Sequence, residues 1–198
     1  MRLSTVLSAP RLISALLFAL TPSLATAGGA FLMKGGVMRL SDDTQTLSLG
    51  RVTLDDTSDS SLAINVEGRT KNGMAFGAEY LIYRNDLNSS ITQTGEAKTQ
   101  TLQFLAKKYF IDGGVVHPYL GVGVGVGRTN VTYSTTVSSF TTDNDFTLAI
   151  QALVGLELRF DNLSFQAEVK HLYHDVNNNG NEYDPTATGL FVSLGFNW

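Results

Sequence analysis

Residues 146–159 place Phe146, Leu148, Ile150, Ala152, Val154, Leu156 and Leu158 at every second position. Thr147, Gln151, Gly155, Glu157 and Arg159 stand between them. Side chains leave a strand on opposite faces with period two, whereas a helix scatters such sets around its circumference. The segment is therefore predicted to be a strand with one apolar and one polar face. Seven more segments pass the same test, at 31–39, 61–69, 74–83, 100–110, 118–128, 163–173 and 188–198. The chain is expected to be all-β, with eight strands.

The connectors alternate too. Those at 70–73, 111–117 and 160–162 are short and carry Asn-Gly and Asp-Gly-Gly turn chemistry. Those at 40–60, 84–99, 129–145 and 174–187 are long and rich in Ser, Thr, Asn and Asp. Short turns at one end and long loops at the other describe an antiparallel up-and-down transmembrane β-barrel, with periplasmic turns and extracellular loops. A β-sandwich or lipocalin-like soluble barrel would instead turn its apolar face inward. Here the apolar faces are long and continuous, while the polar faces combine charges with glycine, so lipid is the expected surroundings of the apolar side. Charged residues make up 16% of the chain, short of the ~25% of soluble domains. Tyr109, Phe110, Phe160, Phe196 and Trp198 near the short turns, and Tyr83, Tyr133, Phe146 and Tyr173 near the long loops, are expected to form two interfacial girdles.

The first 27 residues read as an address. Arg2 and Arg11 give a positive start, Leu12–Leu20 is a short apolar run, and Ala25-Thr26-Ala27 supplies a small-x-small cleavage pattern. These are the parts of a secretory signal peptide, with cleavage expected after Ala27 and a mature barrel domain of residues 28–198. The remainder carries 12 basic and 18 acidic residues. That balance excludes a nucleic-acid partner, which needs a basic footprint. The absence of cysteine removes disulfides, thiolate metal sites and thiol nucleophiles.

Two stretches carry a family resemblance. The end, Gly189-Leu-Phe-Val-Ser-Leu-Gly-Phe-Asn-Trp198, has an aromatic terminus preceded by apolar residues Leu190, Val192, Leu194 and Phe196. The second is His117-Pro-Tyr-Leu-Gly-Val-Gly-Val-Gly-Val-Gly127. Together with the eight strands, they make the mature chain resemble the small eight-stranded outer-membrane barrels of Gram-negative bacteria: the OmpA transmembrane domain, OmpX and the opacity proteins. The resemblance implies an outer-membrane location amid lipid and lipopolysaccharide, a monomer, and a C-terminal strand read by the barrel-assembly machinery. No cofactor and no further domain after the barrel are expected.

The polar faces hold Lys34, Arg69, Lys107 and Lys170 against Glu67, Glu79, Glu157 and Glu168, with Arg159 near the rim. An eight-stranded interior is just wide enough for side chains to fill. Buried charges must be paired or stay wet, because desolvation costs several kcal/mol per ion. A charge-paired, largely plugged lumen is expected, serving a structural, adhesin-like or surface-protective role. The alternative is a small-solute or ion pore. Which Lys meets which Glu is left open, as is whether glycines 121–127 make room for side chains or water.

Two short patterns bear on enzymatic and metal chemistry. Some barrels of this size modify lipid A, and the deacylase type uses His-x-Ser. His171-Leu-Tyr-His174-Asp175 lacks the serine, so His171 and His174 are read as interfacial residues and the chain as a non-enzyme, with a lipid A-modifying enzyme as the further alternative. Asp175, Asn177 and Asn179 start a calcium-loop spacing, but Thr186 stands where the bidentate Glu belongs, so no metal is expected. The first long loop sets Asp42, Asp43, Asp55, Asp56 and Asp59 against Arg51. It is expected to be a solvated surface that could contact an extracellular ligand.

Overall fold

The computed structural model describes residues 28–198 except 41–43, 48–49, 54–58, 90–92, 112, 135–138, 144–145, 175, 179–180 and 184–185. Eight long strands form the wall: β1 (Gly29–Leu40), β2 (Asp59–Arg69), β3 (Met74–Ser89), β4 (Gln93–Tyr109), β5 (Val116–Ser134), β6 (Thr147–Phe160), β7 (Leu163–His174) and β8 (Ala187–Asn197). Each pairs antiparallel with the next in sequence. β8 returns to β1 in a ladder from Ala30↔Asn197 to Leu40↔Ala187. The sheet is closed, so the barrel wall has no free strand edge to aggregate.

Exposure is inverted relative to a water-soluble protein. On β7 the outward Leu163, Phe165 and Val169 are exposed, while the inward Gln166, Glu168 and Lys170 are buried. The same alternation runs along β6 and β8. Val122 is 58% exposed at mid-strand, whereas Lys170 and Glu157 are 0% exposed. A band of apolar side chains facing out around a polar interior suits hydrocarbon surroundings.

Three strands outrun their sequence-based limits. β3 continues to Ser89, β4 begins at Gln93 and β5 continues to Ser134. Their ends are mostly polar, and Leu87, Ala97, Val131 and Tyr133 are too few to mark an amphipathic strand there. Backbone pairing still extends from Arg84↔Lys98 to Ser89↔Gln93. A tilted strand needs only ~9–11 residues to cross the membrane, so these strands of 16, 17 and 19 residues project beyond it. Short hairpins continue the outer end. Residues 44–47 pair with 50–53, and 176–178 with 181–183. Glu182↔Thr46 joins the two hairpins into one small sheet.

The aromatic assignment needs correction at two positions. Phe110, Phe160, Phe196, Trp198, Phe146 and Tyr173 point outward, but Tyr109 and Tyr83 are buried in the lumen. Tyr109 shares the parity of Lys107, and Tyr83 that of Glu79, which fixes their face. At the opposite end from the long loops, the β2–β3 turn is closed by Gly73 at φ 75°, a left-handed backbone conformation that suits glycine.

Candidate functional site

All four lysine or arginine positions expected in the lumen, and all four glutamates, lie on inward parity. Lys34 Nζ sits 2.7 Å from Glu79 Oε2 and 3.0 Å from Glu168 Oε1. Lys170 contacts Glu79 as well, and stands 3.3 Å from Glu168. These two lysines and two glutamates form a charge-balanced layer. Gln151 Nε2 donates to Glu79 at 3.1 Å, and the Tyr119 hydroxyl donates to Glu168 at 3.0 Å. All four charged groups are buried, so water cannot stand in for a missing partner.

A second layer lies closer to the short turns. Glu67 accepts from Lys107 at 2.8 Å and from Arg69 Nε at 2.8 Å. Arg69 Nη1 reaches across to Glu157 at 3.0 Å, and Arg159 Nη2 meets the other oxygen of Glu157 at 3.1 Å. Tyr109 donates to Glu67 at 3.0 Å, and its ring carries the Arg69 guanidinium at 5.1 Å. This layer has three cations and two carboxylates. The rings of Tyr109 and Tyr119 lie 5.0 Å apart between the two layers.

Above the balanced layer the lumen turns apolar. Met38, Leu81, Tyr83, Leu172 and Phe191 cluster with small alanines, and Lys170 Nζ lies 4.6 Å over the Phe191 ring. This apolar layer goes beyond the charge pairing expected from sequence, although Leu81, Leu172 and Phe191 share parity with Glu79, Lys170 and Ser193. The glycines of β5 make room for side chains. A Cβ at Gly123 would meet Leu105 and Gln151 within 2.8 Å, and one at Gly127 would meet the His174 imidazole at 2.7 Å. On the adjacent strand β6, a Cβ at Gly155, the direct register partner of Tyr119, would lie 2.5 Å from the Tyr119 ring.

The two histidines of β7 part company. His171 faces outward, with Nδ1 2.9 Å from the Thr188 hydroxyl. His174 is buried in the lumen, 2.6 Å from the Thr147 hydroxyl. The expectation of two interfacial histidines is thus corrected for His174: a spacing of three puts the pair on opposite faces. His117 anchors the β4–β5 turn, its ring nitrogens at 2.7 Å from the Ile111 carbonyl and 3.0 Å from that of Gly114.

Leu190, Val192, Leu194, Phe196 and Trp198 all face outward. Trp198 and Gly29 exchange backbone hydrogen bonds at 3.1 Å, sealing the barrel at its seam. Of the calcium-loop positions, Asp175 and Asn179 lie outside the described residues. Asn177 lies in the 176–178 strand opposite Glu182. Asp42, Asp43, Asp55 and Asp56 also lie outside the described residues, as do residues 1–27. No group of three metal-binding side chains occurs among the described residues.

Comparison with known proteins agrees with this architecture. A family model described as outer membrane protein beta-barrel domain matches residues 12–197. Neisserial surface protein A is similar in structure at 19% identity and a TM-score of 0.55, covering 85% of this chain and 97% of its own. Ail, the attachment invasion locus protein of Yersinia pestis, reaches a TM-score of 0.59 at 11% identity, covering 87% and 99%. OprG from Pseudomonas aeruginosa reaches 0.55 at 14% identity, covering 86% and 96%. At these identities the likeness shows the fold. No curated protein matches the chain.

Proposed function

Because this chain belongs to the outer membrane protein β-barrel family, we propose that it is a monomeric, non-conducting anchor whose projecting hairpins do its work at the cell surface. The observation that carries this reading is the lumen. Its two ionic layers and one apolar layer are built from buried side chains bonded across the barrel. An ion passing through would have to break these pairs, and removing one member of a buried pair costs ~3–5 kcal/mol. Function is thereby displaced from the interior to the outer end, where β3, β4 and β5 stand above the membrane.

The role is adhesin-like or surface-protective, without catalysis. Ail has been solved with the heparin analogue sucrose octasulfate, but charge opposes a polyanion at the first loop here. Residues 40–60 carry five aspartates and one arginine, and residues 174–187 carry three acids without a lysine or arginine. A basic or neutral surface, or lipopolysaccharide phosphates bridged by divalent cations, suits these loops better. The outward C-terminal strand ending in Phe196 and Trp198 serves as the assembly signal.

The test is attachment. Cells displaying the full chain are compared with cells displaying a chain whose 41–58 and 175–185 segments are replaced by short Gly-Ser turns. The expected result is binding to a basic or neutral surface that falls to the level of empty cells in the shortened variant. Equal binding by both would remove the loops from the function.

A further inference from the structure

The ionic layer nearest the short turns is charge-unbalanced, and the imbalance opens into a cavity. The cavity, about 190 Å³, lies at the periplasmic mouth and is lined by Arg69, Lys71, Tyr109, His117 and Arg159 among others. No acidic residue lines it. The two glutamates beneath are already committed. Glu67 holds Lys107 and Arg69, and Glu157 holds Arg69 and Arg159. Arg69 uses Nε and both Nη atoms on Glu67, Glu157 and Tyr109. Arg159 bonds Glu157 through Nε and Nη2 only. Its Nη1 therefore has no partner among the described residues, in a side chain 30% exposed at the mouth.

One further cation adds to the field. Lys71, in the β2–β3 turn, is exposed and makes no ion pair among the described residues. The ring nitrogens of His117 lie 2.7 Å from the Ile111 carbonyl and 3.0 Å from that of Gly114, which holds the imidazole in the wall of the mouth. A partly enclosed mouth of one sign concentrates counter-ions. An arginine with a free edge is suited to phosphate, whose oxygens match the guanidinium fork.

We propose that the periplasmic mouth is a binding site for a phosphate-type oxyanion, held by Arg159 with help from Lys71 and the surplus charge of the Arg69 layer. The ligand's phosphate comes either from free anion in the periplasm or from a phospholipid headgroup of the inner leaflet folding over the rim.

The test reads the arginine Nε–Hε NMR signals of the whole chain refolded in dodecyl maltoside, a detergent without phosphate. Inorganic phosphate is titrated at constant ionic strength. In a second arm the micelles are doped with phosphatidylglycerol. The expected result is a saturable shift of Arg69 and Arg159 with Arg84 unmoved. Arg159→Gln should weaken the affinity read at Arg69 about tenfold or more, as loss of a charge-assisted bond implies. Lys71→Gln, which touches no ion pair, should weaken it about threefold and covers the case in which Arg159→Gln does not fold. Saturation with inorganic phosphate identifies free anion as the ligand; a shift with phosphatidylglycerol alone identifies the lipid. Absence of a shift in both arms, an equal shift at Arg84, or unchanged affinity in the folded variants would overturn the proposal.

Discussion

Arg69 on β2 and Glu157 on β6 meet at 3.0 Å across the barrel, with three strands separating them on either side. Such a bond ties opposite walls together, which no hydrogen bond of the sheet ladder does. Replacing Glu157 by Gln leaves three cations facing one carboxylate in a buried layer. The expected loss is ~3–5 kcal/mol, read as an earlier loss of the compact, heat-modifiable band on mild SDS gels. Arg84→Gln is the control. Its partner Glu96 lies 3.6 Å away and both are exposed, so ~0–1 kcal/mol is expected.

Phe191 closes the apolar layer and carries the Lys170 ammonium on its ring. Phe191→Ala removes both contacts and leaves a cavity between β7 and β1. A loss of ~3–5 kcal/mol is expected from the cavity, measured by urea unfolding in lipid vesicles. A loss below that of the Arg84 control would show that the layer is not packed.

Gly155 and Tyr119 are a matched pair, since any Cβ at 155 enters the space of the phenol ring. Gly155→Val should cost ~1–3 kcal/mol by overpacking. Tyr119→Ala removes the ring that is struck. In the double variant the valine should therefore cost less than in the parent, a coupling that a double-mutant cycle measures. Strict additivity would mean the two side chains do not meet.

The outward face is tested by charge. Val122→Lys places an ammonium at mid-strand on β5, and ~2–4 kcal/mol is expected at the centre of the bilayer. Val116→Lys, at the start of the same strand, should cost only ~0–1 kcal/mol. Equal costs at the two depths, by urea unfolding in vesicles, would contradict the membrane placement of β5.

Much of this architecture is legible in period two alone. The parity that puts Val154 outside puts Gln151 and Glu157 inside, and eight such segments set the strand count. Parity also places Tyr83, Tyr109 and His174 on inward positions, where only their chemistry suggested an interfacial home, and it places Phe191 inward with them. The ion-pair partners were not legible. Lys34 finds Glu79 and Glu168 on strands that do not adjoin its own, and such contacts depend on the stagger and tilt of the closed sheet. The projecting ends of β3, β4 and β5 were hidden for another reason. Outside hydrocarbon most residues of these ends are polar, and pairing leaves little trace in hydropathy.

The central proposal is that the lumen is sealed, and electrical recording tests it most directly. The purified chain, refolded and shown to be heat-modifiable, is inserted into a planar bilayer under applied voltage. The account predicts a baseline without discrete openings, because every path along the axis crosses the Lys34–Glu79–Glu168–Lys170 layer and the apolar layer beside it. Stable, voltage-sustained current steps from the same preparation would contradict it and make the interior a pore.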